Sequence, residues 1–141
     1  MNEIINEVTL ATRRDQFKPG TRVELIKMSD PYIKLQTGER GHVSEVDSIG
    51  TVFVNWDSGI LLGCCYNIDE IRKLSNSEVI KEQVFAITKT GRTDMMDYTK
   101  VLDIGKELGF IEICDLIVTN NKQYLTLILT GEFDSSESII D

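Results

Sequence analysis

The chain has few of the residues that build catalytic and metal centres. Its 141 residues include one histidine, His42, and three cysteines, Cys64, Cys65 and Cys114, with no Cys-x-x-Cys pair. Neighbouring residues on a strand point to opposite faces, so Cys64 and Cys65 are badly placed to share a metal, which argues against a structural zinc site. An odd number of sparse cysteines reads instead as reduced, buried thiols in a cytosolic chain. The N-terminus lacks an apolar signal-like stretch, and no run approaches the roughly 20 apolar residues of a membrane span, so no membrane partner is expected. Positive charge is also short: 15 Lys and Arg stand against 23 Asp and Glu, a net charge of -8. That balance argues against a protein whose whole surface grips DNA.

Catalytic patterns are equally thin. His42 follows Gly41 at a strand start and has no nucleophile in a recognisable elbow. Gly38-x-x-Gly41 and Gly59-x-x-x-Gly63 lack the Lys-Ser/Thr and the following helix of a phosphate loop. Acidic pairs occur, but not at metal-ligand spacing. The expectation is a non-enzymatic protein with no cofactor and no metal.

The composition, 41% hydrophobic and 27% charged, suits one ordinary domain or two very small ones. Charge divides unevenly. Residues 1–74 carry nine basic and eleven acidic side chains, net -2, and residues 75–141 carry six and twelve, net -6. Residues 1–16 place Ile4, Val8 and Ala11 at helical spacing, as a short N-terminal arm or helix. From Phe17 the period changes to two. Val23 and Leu25, then Val43 and Val46, then Val52, Val54 and Trp56 alternate with polar residues, and Asp57-Ser58-Gly59 turns the chain into the apolar run Ile60 to Tyr66.

After Leu74 the period becomes helical. Ser75 and Glu78 have capping-box spacing, Ile80, Val84 and Ile87 share a face, and Gly91 is a natural stop. Asp97 is a good N-cap for a helix carrying Val101, Ile104 and Leu108 to Gly109. Phe110, Ile113, Cys114 and Ile117 continue at the same spacing. The last apolar element, Gln123 to Thr130, fits a helix or a strand, with helix the better reading. These patterns predict an α+β chain: a small SH3-like β-barrel over 17–74 followed by a compact helical module over 75–131. Residues 132–141, acidic and serine-rich, read as a disordered tail.

Lys18-Pro19-Gly20-Thr21-Arg22-Val23 with Gly38-Glu39-Arg40-Gly41-His42-Val43 resembles the opening of KOW and related SH3-like barrels. Val52 to Gly59, VFVNWDSG, is similar to the strand and turn of Mib-Herc2-type barrels. Taken whole, residues 17–74 resemble an uncharacterised family frequent in phage and prophage genomes of Gram-positive bacteria, and the second half, especially Glu82 to Gly91 and Tyr124 to Gly131, resembles another uncharacterised phage family often found beside it. The resemblance implies a phage or prophage protein working in a host cytoplasm, and it implies no assigned activity.

Three surfaces are candidates for contact. Tyr32, Phe53, Trp56 and Tyr66 fit a peptide or partner groove, although Phe53 and Trp56 fall on opposite strand faces. The segment from Arg13 to Arg40 has a local charge of +3, and Lys18, Arg22, Lys27, Lys34 and Arg40 form a basic edge for nucleic acid. In the helical module Asp94, Asp97, Asp103, Glu107, Glu112 and Asp115 form an acidic surface able to imitate phosphates. The leading expectation is an accessory protein that binds and modulates a host protein, as an anti-defence factor such as an anti-CRISPR or nuclease inhibitor. A nucleic-acid adaptor and an oligomeric trap for a signalling nucleotide are the alternatives. Each half has few apolar positions, so the helical module is expected to pack on itself in a homodimer or on the barrel.

Overall fold

The computed structural model describes residues 5–134, in two compact units that meet in sequence at Leu74 and Ser75. The first unit holds one helix and five strands: α1 (Glu7–Gln16), β1 (Arg22–Lys27), β2 (Arg40–Val46), β3 (Val52–Trp56), β4 (Leu61–Cys64) and β5 (Glu70–Lys73). The second is helical: α2 (Asn76–Thr90), α3 (Tyr98–Leu108), α4 (Ile111–Thr119) and α5 (Asn121–Thr130). The chain is α+β, a sheet followed by a helical module.

All strands of the first unit pair antiparallel in the order β4-β3-β2-β1-β5, so the last strand returns beside the first. The sheet is not closed, and β4 and β5 are its edges. Alternation decides which face is inside. Val23 and Leu25 of β1, Val43 of β2, and Val52, Val54 and Trp56 of β3 are buried together with Phe17, Leu35 and Cys64. Gly41 is required by the close approach of β3: a Cβ there would stand 2.5 Å from the Asn55 carbonyl oxygen and 2.8 Å from the Trp56 Cα.

Helix α1 is capped by Asn6, whose side chain accepts from the Thr9 amide at 2.8 Å. None of its residues is fully buried, and the expected apolar stripe does not pack inward. Val8 and Ala11 are exposed, and Ile4 lies outside the described residues. The helix is held instead through Arg13. Its Nε donates to the Gly50 carbonyl at 2.7 Å, and its guanidinium carbon stands 5.4 Å from the Phe17 ring centre and 5.5 Å from that of Tyr66. A cation stacked on two rings replaces the aliphatic stripe that periodicity alone selects.

In the second unit local signals set the boundaries. The Ser75 hydroxyl accepts from the Glu78 amide and the Glu78 carboxylate accepts from the Ser75 amide, a complete capping box. Gly91 and Gly109 end α2 and α3 with φ of 65° and 75°, left-handed values that favour glycine. The apolar run after Asn120 is helical, because its inward residues Gln123, Tyr124 and Leu127 fall on a 3.6-residue period and the Asn120 side chain caps its start. The core gathers Ile80 and Ile87 of α2, Val101 and Ile104 of α3, Ile113, Leu116 and Ile117 of α4, and Tyr124 and Leu127 of α5.

Two buried glutamines lock this core. Gln83 on α2 accepts from the Ile113 amide at 2.9 Å and donates to Glu112 at 3.2 Å, capping α4, whose own N-cap residue Phe110 makes no side-chain cap. Gln123 exchanges two hydrogen bonds with the Asp134 backbone, at 2.9 and 3.0 Å. Of the tail expected over 132–141, residues 135–141 lie outside the described residues.

Candidate functional site

The expected aromatic groove does not gather its four residues into one surface. Trp56 is only 3% exposed and belongs to the core of the first unit, where its indole nitrogen meets no acceptor among the described residues. Phe53 occupies the opposite face of β3. Tyr32 lies in the β1–β2 connection with 91% of its surface exposed, and Tyr66 stacks on Arg13.

The basic edge is largely neutralised within the protein. Arg22 makes a two-pronged pair with Asp57, at 2.8 and 2.7 Å. Arg40 and Arg72 flank Glu24 at 3.0 and 3.2 Å, across the neighbouring strands β2 and β5. The hydrogen bond from Arg40 holds the Glu24 carboxyl below its usual range, and that from Arg22 does the same for Asp57. Lys18 pairs with Asp15 at 3.3 Å, while Lys27 and Lys34 are exposed. This alternation of signs across the outer sheet face gives much less field for a phosphate backbone than a count of arginines implies.

The acidic set is similarly divided. Asp97 caps α3 through the Lys100 amide, Glu107 pairs with Arg92 at 2.6 Å, and Glu112 accepts from Gln83. Asp94 caps a turn through the Met96 amide. Asp103 and Asp115 are exposed. Four of the six therefore have a structural task of their own.

Two other surfaces emerge. The first is the β4 edge. From Ser58 to Ile68 the chain carries no charge, and β4 pairs with β3 without a register break, from Val52 opposite Cys64 to Asn55 opposite Leu61. Ile60 is exposed and Leu61 is 59% exposed. Phe53 and Leu61 share the outer face, and a Cβ on Gly63 would stand 3.0 Å from the Phe53 ring, so that ring lies over a strand position without a side chain. The opposite edge differs in every respect. β5 carries Glu70, Arg72 and Lys73, and its pairing with β1 shifts register between Leu25 and Lys27. Charges and bulges are what proteins use to keep an edge from pairing. One edge has both and the other has neither.

Behind the β4 edge the chain is pinned by Asp69, which accepts from the Ser29 amide and hydroxyl at 3.0 and 2.7 Å and from the Cys65 amide at 2.8 Å. Burial alone would raise this carboxyl's pKa, but the Ser29 and Cys65 donors outweigh it and hold the group below its usual range. Cys64, by contrast, has its pKa pushed up to about 12, chiefly by burial, and is an inert thiol.

The second surface lies on the helical unit. A groove of about 400 Å³ runs between α3 and α4, lined by Leu102, Gly105, Phe110, Ile111, Cys114 and Val118, with Lys106 and Asp115 at its borders. The spacing of Phe110, Ile113, Cys114 and Ile117 marks one apolar face of α4 and does not single out the face of Ile111 and Val118. The missed signal is that apolar residues cover both sides of α4. A further groove between α2 and α5 is lined by Phe85, Val84 and Ile128. Among the described residues no helix is long and apolar enough to cross a membrane.

No curated protein matches the chain. Residues 6–74 match the family model described as Domain of unknown function (DUF4314), and residues 76–132 match Domain of unknown function (DUF5049), so two domains of unknown function divide the chain at the same place as its two compact units.

Proposed function

We propose that this protein acts by binding: it is a non-enzymatic accessory protein, of phage or prophage origin by the resemblance of its two halves, that engages a host protein and modulates it. Inhibition of a host defence factor is the role we assign. The observation that carries the binding reading is the unguarded edge strand β4, which offers an uncharged, uninterrupted template for an extended segment of a partner. In such strand addition the backbone supplies affinity and alternate side chains supply selectivity. Here Leu61 and the Phe53 ring would receive the partner's outward-facing apolar side chains. The sheet unit thus takes the partner, and the helical unit supplies self-association, so that one assembly displays two edges and gains avidity.

The internal pairing of Arg22, Arg40 and Arg72 with carboxylates favours a protein over a nucleic acid at the sheet. Affinity capture from host lysate is the test. One stoichiometric protein, retained after nuclease treatment and lost with Leu61→Lys, is the expected result. Recovery of nucleic acid alone contradicts the reading.

A further inference from the structure

Helix α4, IEICDLIVT, turns Ile113, Leu116 and Ile117 into the core of its own unit and Ile111 and Val118 the other way, with half-buried Cys114 between the two sides, against α3. Ile111 and Val118, two turns apart, are 75% and 70% exposed, and with Cys114 at i+3 they make a second apolar stripe that lines the groove. A helix apolar on both sides belongs between two packed layers, and this unit supplies only one. The floor of the groove is tightly closed: Gly105 of α3 is buried, and a Cβ there would stand 2.8 Å from the Cys114 sulfur.

We infer that the α3–α4 face is covered by the same face of a second copy of this chain, related by a two-fold axis. This rests on the reading of the helical unit as the self-association module, and names its contact. The choice of occupant comes from charge. The groove is bordered by one cation, Lys106, and one anion, Asp115. A two-fold contact is self-complementary, so each copy sets its Lys106 against the other's Asp115, twice per dimer, while Ile111 of one copy meets Val118 of the other. A patch with a single sign of charge would repel its own copy; this one does not.

Sedimentation velocity on the full chain tests this, at roughly 50 µM because association is concentration-dependent. The wild type is expected at twice its 16.0 kDa mass. Ile111→Asp is expected to be a monomer with an unchanged circular dichroism spectrum, since the residue is exposed. Lys106→Glu makes both border pairs repulsive and is expected to weaken the dimer by about tenfold. Lys106→Glu combined with Asp115→Lys is expected to restore it. A monomeric wild type, or a dimer that survives Ile111→Asp, overturns the inference. So does a dimer lost with Leu61→Lys, which would place self-association at β4. That last variant also separates the two claims: partner capture fails with Leu61→Lys if the edge binds the partner, whatever the fate of the dimer.

Discussion

Gln83 fixes the start of α4, and with it the outer side which that helix presents, although it is not on that side. It is buried on α2 and accepts from the Ile113 amide, a donor that the start of α4 cannot satisfy locally because Phe110 has no side-chain acceptor. Gln83→Met conserves length and nearly conserves volume, so its effect isolates the hydrogen bonds. The orphaned amide and the lost cap describe one deficit, of about 1–3 kcal/mol. For a unit of this size each kcal/mol shifts the midpoint by about 4–8 °C, so the helical transition is expected to fall by roughly 8–16 °C for a central cost of about 2 kcal/mol. Circular dichroism at 222 nm measures the shift, and hydrogen exchange at Ile113 should accelerate with it. A second variant sharpens the test. Gln83→Glu retains the acceptor for Ile113 but sets a carboxylate against Glu112. Like charges raise the pKa of one of the pair, so its stability should increase as pH falls through that raised value. A Gln83→Met midpoint within about 2 °C of wild type would refute the account of α4, since it would mean that water caps the helix at no cost.

Two further outcomes concern the sheet. Gly41→Ala places a methyl group against the β3 backbone at Asn55 and Trp56, so the β2–β3 ladder must part, at a cost of about 1–3 kcal/mol or more. The single tryptophan, Trp56, reports this in denaturant titration, and an unchanged midpoint contradicts the packing described. Asp69 supplies a pH dependence. Its folded pKa lies below its ordinary value, so its contribution is present at neutral pH and is lost as pH falls through the folded pKa, in the acid range below about 4. Asp69→Asn should lower neutral-pH stability by about 1–3 kcal/mol and flatten the acid limb of the stability profile; an acid limb as steep as wild type's contradicts the role.

What the sequence revealed follows the range of the forces involved. Ser75 with Glu78, Gly91 and Gly109 act within one turn, and their spacing alone marks the helix ends. Val23, Val43, Val52 and Val54 alternate, so the inner sheet face is also legible. Gln83 and Ile113 meet across 30 residues, and nothing in the local pattern of α2 announces that a polar residue on its apolar side caps another helix. The N-terminal helix is legible as an element but not by the side that holds it, because stacking of Arg13 between Phe17 and Tyr66 is not a hydrophobic period. The candidate site was half visible. The run Ile60 to Tyr66 is plainly apolar and uncharged, but that it forms an edge depends on β5 returning to β1, with Arg72 opposite Glu24. Trp56 shows the converse error, in which a residue type common at interfaces is drawn into the core by its register.

The central claim is that β4 is the binding edge, and a paired capture experiment tests it most directly. Wild type and Leu61→Lys, matched in circular dichroism and thermal midpoint, would be used to recover protein from nuclease-treated host lysate, with hydrogen exchange followed at residues 60–65 in the recovered complex. A lysine on an edge strand blocks strand addition without disturbing the β3 ladder. The expected result is one stoichiometric partner with wild type, protection of the β4 amides in that complex, and no partner with Leu61→Lys. Equal recovery by both proteins, with β4 amides exchanging as in the free chain, would contradict it.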